Sequence, residues 1–502
     1  MKIVMITPTT ALRRFPLYRL GGKLYGQPNS ITGPLILGGI LKRAGHEVEV
    51  YEELNGAVPF RKLFKADDVD VYCISIMTSN APRGYEIADM VHQNTHARVI
   101  MGGFHASAMP EEALQHADQV ISGEGENVIL DVVEGRNTEK IVRVAPIENL
   151  DECPFPDYTI LKTPVKAANV ISSRGCPFRC AFCSTSRMLA PYRQRSVDNV
   201  IGEIRMYKKM GFRYMNFEDD NFTADKKRAK EICRRMIDEG LTFKETFFFG
   251  RTDMAKDEEL LQLLKEAHLT RVLIGIESLN QKALDAVDKH QNIDNIREAA
   301  AACRKYGIRV IASIVLGIDE DTREDMRRSV QFARDIDAYQ LQPAVMTPLP
   351  GTPVYEKMVE ENRMLFQDWS QHDFMNVTFQ PANCSPWELQ DEFYHASTAF
   401  YNYKASFRIG KLFGAEYGWR RFGFAIFAHL GPWGARFCSK HVPASFYYKL
   451  RHNQFDLIGK KESRKCPLPQ TDEEVIVKKR EAAEKEQEKQ QRRQRRREEK
   501  VA

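Results

Sequence analysis

Short apolar runs alternate with amphipathic stretches through most of this chain, in two series separated by one break. In the first series, KIVMIT (2–7), VEVYEE (48–53), VYCISI (71–76) and RVIMGG (98–103) read as strands bounded by polar residues or glycine. Between them, GPLILGGILKRAG (33–45), APRGYEIADMVHQN (81–94) and MPEEALQHA (109–117) carry helical apolar spacing. The first and third have proline in the opening turn, where its missing N–H costs least. Strands separated by helices of this length pair in parallel through right-handed crossovers, so residues 1–148 are expected to form an open, doubly wound α/β sheet.

The break is NLDECPFPDYTILKTP (149–164), rich in proline and aspartate and read as a linker. The alternation resumes at NVISSRG (169–175), YMNFEDD (214–220), TFFFGRT (246–252), RVLIGIES (271–278), RVIASIVLG (309–317) and YQLQPAVM (339–346). Helical segments such as DNVIGEIRMYKKMG (198–211) and DEELLQLLKEAH (257–268) intervene. Six β/α units over residues 165–356 suit a partial (β/α)6 barrel, whose functional residues belong where strands end. Residues 357–470 turn helical and aromatic, with ELQDEFYHASTAFYNYKASF (388–407) and FGFAIFAHLGPWGARF (422–437). Residues 471–502 are charged and of low complexity, expected as a solvated helix or a disordered tail.

At 502 residues, 43% apolar and 28% charged, the composition is that of a soluble, several-domain globular protein. MKIVMITPTT does not make a secretory signal, and no run reaches the roughly 18 apolar residues of a membrane helix. A cytoplasmic enzyme is the expectation. The 14-residue run from Phe422 to Ala435, with Arg420, Arg421 and Arg436 at its ends, suits either a buried helix or one lying peripherally on a membrane. Net charge is +5, but residues 471–502 hold eleven Lys and Arg against nine Asp and Glu, so the body carries only +3. No nucleic-acid partner is expected. The arginine block at 492–497 is interleaved with Gln and Glu and reads as a solvated tail.

Three of the ten cysteines, Cys176, Cys180 and Cys183, fall inside SSRGCPFRCAFCSTS (172–186). The others are scattered and make no secreted-type disulfide framework. Three buried small apolar groups or a zinc site are the bland alternatives. Zinc, however, usually takes four ligands, and Ser184, Thr185 and Ser186 follow instead of a fourth. Three thiolates on an iron–sulfur cube would leave one iron free to bind a substrate or cofactor.

The C-x-x-x-C-x-aromatic-C pattern, with Phe182 before the last cysteine, resembles the radical S-adenosylmethionine (radical SAM) superfamily. The resemblance implies that the three thiolates hold a 4Fe-4S cluster whose fourth iron chelates S-adenosylmethionine. It further implies that an external electron donor, such as flavodoxin or ferredoxin, drives sulfonium cleavage to a 5′-deoxyadenosyl radical. S-adenosylmethionine wants carboxylates for its ammonium and ribose and apolar walls for adenine. Glu218, Asp219 and Asp220 in NFEDDNF match a DDxF segment common in the superfamily; outside that setting an acidic loop is simply solvated. Glu277 ends IGIES, and Arg251 in FGRTD could serve a salt bridge or the methionyl carboxylate equally well. VLGIDEDT (315–322) stands where relatives usually read GLPGET: Gly317 and Thr322 fit, Asp319 and Glu320 do not, and the shape of that turn stays open. TPLPGTPVYE (347–356) matches the usual end of the barrel.

A doubly wound sheet binds ligands beyond the C-terminal ends of its strands. There lie TSNAPRG (78–84), GGFHASAMPEE (102–112) and GEGE (123–126), with glycines that let backbone approach a flat ligand. No G-x-G-x-x-G follows the first strand, which disfavours a dinucleotide. The arrangement resembles the Rossmann-like cobalamin-binding domain of one branch of the superfamily, and implies cobalamin contacts from Thr78, Ser79, Gly102, Gly103, His105, Gly123, Glu124 and Gly125. The D-x-H-x-x-G signature is missing, so His105 reads as a loop hydrogen-bonding residue rather than a cobalt ligand.

The resemblance implies methylation of an unactivated carbon, by methylcobalamin, on a hydrophobic small molecule. Two alternatives stay open: a non-methylating cyclisation, oxidation or C–C bond formation on a tetrapyrrole or lipid, and a non-catalytic iron–sulfur or zinc protein. An RNA-modifying methylthiotransferase would want a second cysteine set, and residues 1–135 contain only Cys73.

Overall fold

The structure, a computed structural model, describes residues 1–10, 31–366 and 368–455. The charged tail expected over 471–502 lies outside the described residues. Six parallel strands form the first sheet: β1 (Lys2–Thr7), β2 (Glu47–Glu52), β3 (Val71–Ser75), β4 (Arg98–Gly102), β5 (Gln119–Ser122) and β6 (Ile141–Arg143), in the order β2-β1-β3-β4-β5-β6. The order reverses between β1 and β3, the position at which such sheets open a crevice beyond their strand ends. Apolar side chains fill both faces: Ile3 and Met5 on one, Val4 and Ile6 on the other. This is why β1 reads as a continuous apolar run.

The second sheet is also wholly parallel. After β7 (Ala167–Val170), a short ribbon of β8 (Ser173–Arg174) and β9 (Arg193–Gln194) interrupts the series. Then follow β10 (Tyr214–Phe217), β11 (Glu245–Gly250), β12 (Arg271–Glu277), β13 (Arg309–Leu316) and β14 (Gln340–Val345), paired in sequence order from β7. That is the six-stranded partial barrel expected from the alternation. Its helices begin on side-chain caps. Ser196 accepts from Asn199 N, Asp225 from Arg228 N, Asp257 from Leu260 N and Asn292 from Asn295 N, each worth about 1 kcal/mol.

The 149–164 segment is more than a spacer. Leu161 pairs with Val50, Lys162 N donates to Val50 O at 2.9 Å, and Asn169 N donates to Tyr158 Oη at 2.9 Å. Tyr158 and Ile160 join one apolar core that runs from Leu35 and Leu41 of the first module to Val200, Ile201 and Met215 of the barrel. A second core packs β13 and β14 against the helix Pro386–Phe400 through Leu389, Phe393 and Phe400.

The run at 388–407 is two helices, Pro386–Phe400 and Tyr403–Phe413. Tyr401 leaves the helix to exchange hydrogen bonds with Leu341 of β14 (3.1 and 2.8 Å), and Asn402 caps the next helix from its side chain. The apolar run at 422–437 is part of a 27-residue helix, Ala415–His441. Among the described residues no helix is long and apolar enough to cross a membrane.

Candidate active site

The turn that delivers the cysteines is built on a buried carboxylate. Asp219, just beyond β10, accepts from Ser172 N (3.2 Å), Ser172 Oγ (2.8 Å) and Ser173 Oγ, while Arg228 donates to Ser172 Oγ (3.1 Å) and Ser172 O (2.9 Å). Burial raises the Asp219 pKa, and the serine hydroxyls oppose that rise. Of the three acids in NFEDDNF, Asp219 therefore positions the loop. Gly175 follows at φ +78°, where a Cβ would stand 2.5 Å from Leu189 O, so only glycine makes this entry.

Cys180 is buried, and Cys176 and Cys183 are partly exposed. The loop is pinned by Cys183 N to Cys180 O (3.1 Å), Ala181 N to Val287 O (3.0 Å) and Val354 N to Ala181 O (3.3 Å). Burial pushes the Cys176 thiol up to about 11 and raises that of Cys180, where Lys289 and Arg251 oppose it. Thiols that burial keeps protonated give up the proton when a metal binds them. Among the described residues no three His, Cys, Asp or Glu gather to hold one metal ion. Three soft thiol donors on one half-buried loop fit a cluster whose thiolates each bind a separate iron. Phe182 packs its ring against the core of the barrel's second half.

Around this loop the rim assembles several of the expected residues. Asp220 is bonded by Thr185, whose hydroxyl lies 3.1 Å from Cys183 Sγ; burial pushes Asp220 up to about 6. Glu218 N continues the sheet by donating to Val170 O at 2.9 Å. Arg251 lays its guanidinium 3.7 Å from the centroid of Phe178, inside the cysteine loop, and donates to Lys289 O at 2.7 Å. Glu277 sits at a bulge in β12 with φ +60° and forms a buried ion pair with Lys289 at 2.5 Å. A Cβ on Gly275 would stand 2.1 Å from that carboxylate and 2.5 Å from Lys289 Nζ. The pair thus depends on a glycine and a strained backbone residue, as functional carboxylates often do. Lys289 and Phe178 escaped sequence reading, because nothing local announces a partner twelve residues away or an aromatic between two cysteines as a stacking surface. The 315–322 turn, whose shape the sequence leaves open, is held by Arg363 and Lys357, which both pair with Asp319 (2.5 and 2.8 Å).

At the rim of the first sheet the expected residues form two groups. Thr78, Ser79, Gly102, Gly103 and His105 lie at the ends of β3 and β4; Gly123, Glu124 and Gly125 lie beyond β5. His105 is fully buried, with Nδ1 3.3 Å from Thr78 Oγ1, Nε2 3.5 Å from Glu112 Oε1, and its ring 5.1 Å from that of Trp369. Each of its two nitrogens thus has a side-chain partner within hydrogen-bond reach. Gly103 (φ +95°) and Gly123 (φ +114°) are required by the chain itself: added Cβ atoms would stand 2.6 Å from Ile76 O and 2.5 Å from Val144 O. At Gly102 the nearest such atom is 3.7 Å away.

The two rims face each other. Glu124 turns its carboxylate to Arg193 (2.6 and 2.9 Å) and to Arg174 (3.2 Å), and accepts from Ile147 N at 2.7 Å; Glu126 pairs with Arg174 at 2.5 Å. Arg174 stands two residues before Cys176. Glu124 therefore joins the cysteine turn to the first module, and the pairing arginines lower its pKa against burial. A second bridge runs from Trp369 Nε1 to Glu112 Oε1 at 2.8 Å, which Tyr85 Oη also reaches at 2.9 Å. An open cleft of about 540 Å³, bordered by Asp337, Tyr403, Arg408 and Arg421, lies at the opposite end of β14 and takes no part in this rim.

Residues 170–333 match the radical SAM superfamily, and residues 30–133 match the B12 binding domain. An uncharacterized methyltransferase of Pyrococcus horikoshii is 30% identical over 411 residues, spanning 74% of this chain and 86% of that protein. The anaerobic magnesium-protoporphyrin IX monomethyl ester cyclase of Cereibacter sphaeroides is 26% identical over 428 residues, 77% of this chain and 68% of the cyclase. Among solved structures, the radical S-adenosylmethionine methyltransferase TsrM of Kitasatospora setae shares the fold with a TM-score of 0.65 at 15% identity, covering 86% of this chain and 99% of that one. The chain belongs to the radical SAM superfamily, in the branch that carries a B12-binding domain ahead of the radical SAM module, and it is an enzyme of that class.

Proposed function

We propose that this enzyme transfers a methyl group to an unactivated carbon of a hydrophobic small molecule. The observation that carries the proposal is the cysteine turn clamped by Arg174 and Glu124 to the rim of a B12-binding module. When bound, the cluster with S-adenosylmethionine supplies a carbon radical, and cobalamin supplies a methyl group. Cys176, Cys180 and Cys183 would hold the cluster. Asp220, Glu218, Glu277 and Arg251 would surround S-adenosylmethionine, Phe182 would flank it, and Asp219 would keep the loop in place. Thr78, Ser79, Gly102, Gly103, Gly123 and Gly125 would border cobalamin, with His105 and Glu124 supporting those loops from behind.

The electron would come from a small external donor of flavodoxin or ferredoxin type. Peripheral contact with a membrane belongs to the same reading, since hydrophobic substrates concentrate there. The likeness to a cyclase favours a second reading, in which the same radical closes a ring without methyl transfer. Anaerobic reconstitution with iron, sulfide and cobalamin, followed by product mass, separates them. A gain of one methyl group per turnover supports methylation. 5′-Deoxyadenosine with no methylated product supports the second reading, and no S-adenosylmethionine cleavage defeats both.

A further inference from the structure

The helix Ala415–His441 is packed inside out. Its buried positions are Gly418, Arg421, Gly423, Ala425, Pro432, Ala435 and Ser439, nearly all small. Phe424 packs against the core, but six other large apolar residues, Trp419, Phe422, Ile426, Leu430, Trp433 and Phe437, are exposed; Trp419 is 72% and Trp433 70% exposed. Their spacing of three and four residues makes one stripe about 27 Å long. A helix stabilised by the core of a water-bathed domain shows the reverse arrangement, as Pro386–Phe400 does with buried Leu389, Phe393, Tyr394 and Phe400.

The neighbouring helix, Tyr403–Phe413, widens the stripe. Gly418 meets Gly410 so closely that a Cβ on it would stand 2.8 Å from Gly410 Cα. Tyr403 lies 5.1 Å from Phe422, and Phe407 is 68% exposed. A contiguous exposed apolar surface of this kind marks an interaction site.

Charge says what covers it. Residues 401–455 contain nine Lys and Arg and a single acid, Glu416, giving this region +8 within a chain whose net charge is +5. Arg408 and Arg436 pair with Asp337 and Asp391, while Lys404, Lys411 and Lys440 on the same two helices are exposed, Lys411 with its ammonium 4.9 Å from the exposed Phe407 ring. The exposed positions between Trp419 and Phe437 include no acid. Aromatic and aliphatic residues accompanied by lysine, with tryptophan toward both ends, fit the boundary between acyl chains and anionic headgroups. Residues 456–502 hold no aromatic residue and are mostly charged or polar, so their composition does not suit them to cover the stripe.

We propose that the paired helices 403–413 and 415–441 lie on an anionic membrane surface, with Trp419, Phe422, Ile426, Leu430, Trp433 and Phe437 inserted at the acyl boundary. The proposal rests on the peripheral membrane contact of the proposed function, and because its test uses no cofactor, its failure leaves the cluster chemistry standing. The full chain is sedimented with vesicles of phosphatidylcholine and with vesicles of equal parts phosphatidylcholine and phosphatidylglycerol. It should pellet with the mixed vesicles, more weakly with phosphatidylcholine alone, and release from the mixed vesicles as salt is raised. Each of Trp433→Ser and Phe437→Ser should lower partitioning about tenfold, with the melting temperature unchanged. Lys404→Glu, Lys411→Glu and Lys440→Glu together should weaken only the phosphatidylglycerol-dependent part. Wild-type chain left in the supernatant, or a double serine variant that pellets like wild type, overturns the proposal. So does a chain that ignores vesicles and sediments as a dimer lost on the same substitutions, since the stripe would then belong to a second copy.

Discussion

The rim of the first sheet and the rim of the barrel are both assembled from acids and glycines at strand ends, yet they use them differently. On the first rim, Glu124 and Glu126 reach across to Arg193 and Arg174 of the barrel module, and Gly103 and Gly123 make room for neighbouring backbone. On the barrel rim, Glu277 pairs with Lys289 within its own module, Asp219 secures two serines, and three thiols, one buried and two partly exposed, stand on one loop. An acidic glycine-rich loop can thus be a joint in one module and a frame for ligands in the next. Residue type alone does not separate the two; the partner does.

The largest effect expected from breaking this contrast is on the barrel side. Cys176→Ala, Cys180→Ala or Cys183→Ala should each abolish cluster assembly, read as bound iron and sulfide, and take 5′-deoxyadenosine formation to background. The joint on the first rim should be intact in all three. On that rim, Glu124→Ala should destabilise the protein by about 3–5 kcal/mol in urea denaturation, because Arg193 loses the carboxylate that compensates it in a buried site, while Arg174 keeps Glu126. A loss below about 1 kcal/mol would mean that the clamp is solvated and holds little.

How far the contrast could be read in advance depends on sequence distance. Strand pattern was legible: KIVMIT is β1 residue for residue, and all six barrel strands begin within two residues of the start of their apolar runs. β5 and β6 were not, since QVIS and IVR are too short to show a period. The cysteine loop announced itself because its chemistry is local. Glu124 and Arg193 are 69 residues apart, and nothing in GEGE says whether its acids meet a ligand or an arginine from another module. The inverted helix was visible as an apolar run, but which side faced out was fixed only by the small residues packed against its neighbours.

A third test sharpens the barrel side. Asp321 lies 2.7 Å from Ser278 Oγ beside the Glu277 bulge, and burial pushes it up to about 7. Its folded pKa is raised above the unfolded value, so its stabilising contribution is full below about pH 4 and is lost as pH rises towards 7. Asp321→Asn should match wild type in thermal melts near pH 4 and exceed it above pH 7, by up to about 4 kcal/mol. Equal melts at both ends would place the carboxyl in solvent. Lys289→Met should act through the cofactors, lowering S-adenosylmethionine cleavage about 10–100-fold, as loss of a supporting group near a metal site does. Pairing it with Glu277→Gln should restore stability without restoring cleavage; recovery of both would make the ion pair purely structural.

The smallest and sharpest test is on the first rim, between adjacent glycines. Gly103→Ala demands a Cβ at φ +95° and 2.6 Å from Ile76 O, so it should cost more than about 1 kcal/mol whatever ligand is bound. Gly102→Ala meets nothing closer than 3.7 Å, and its effect on urea stability should stay within about 0.5 kcal/mol. If a corrin lies over that edge, however, the added methyl group stands between backbone and ring, and cobalamin retained through gel filtration should fall while the fold is untouched. A Gly102→Ala protein that holds cobalamin as well as wild type would move the corrin off β4, and leave Thr78 and the Gly123–Gly125 loop as the edge to test next.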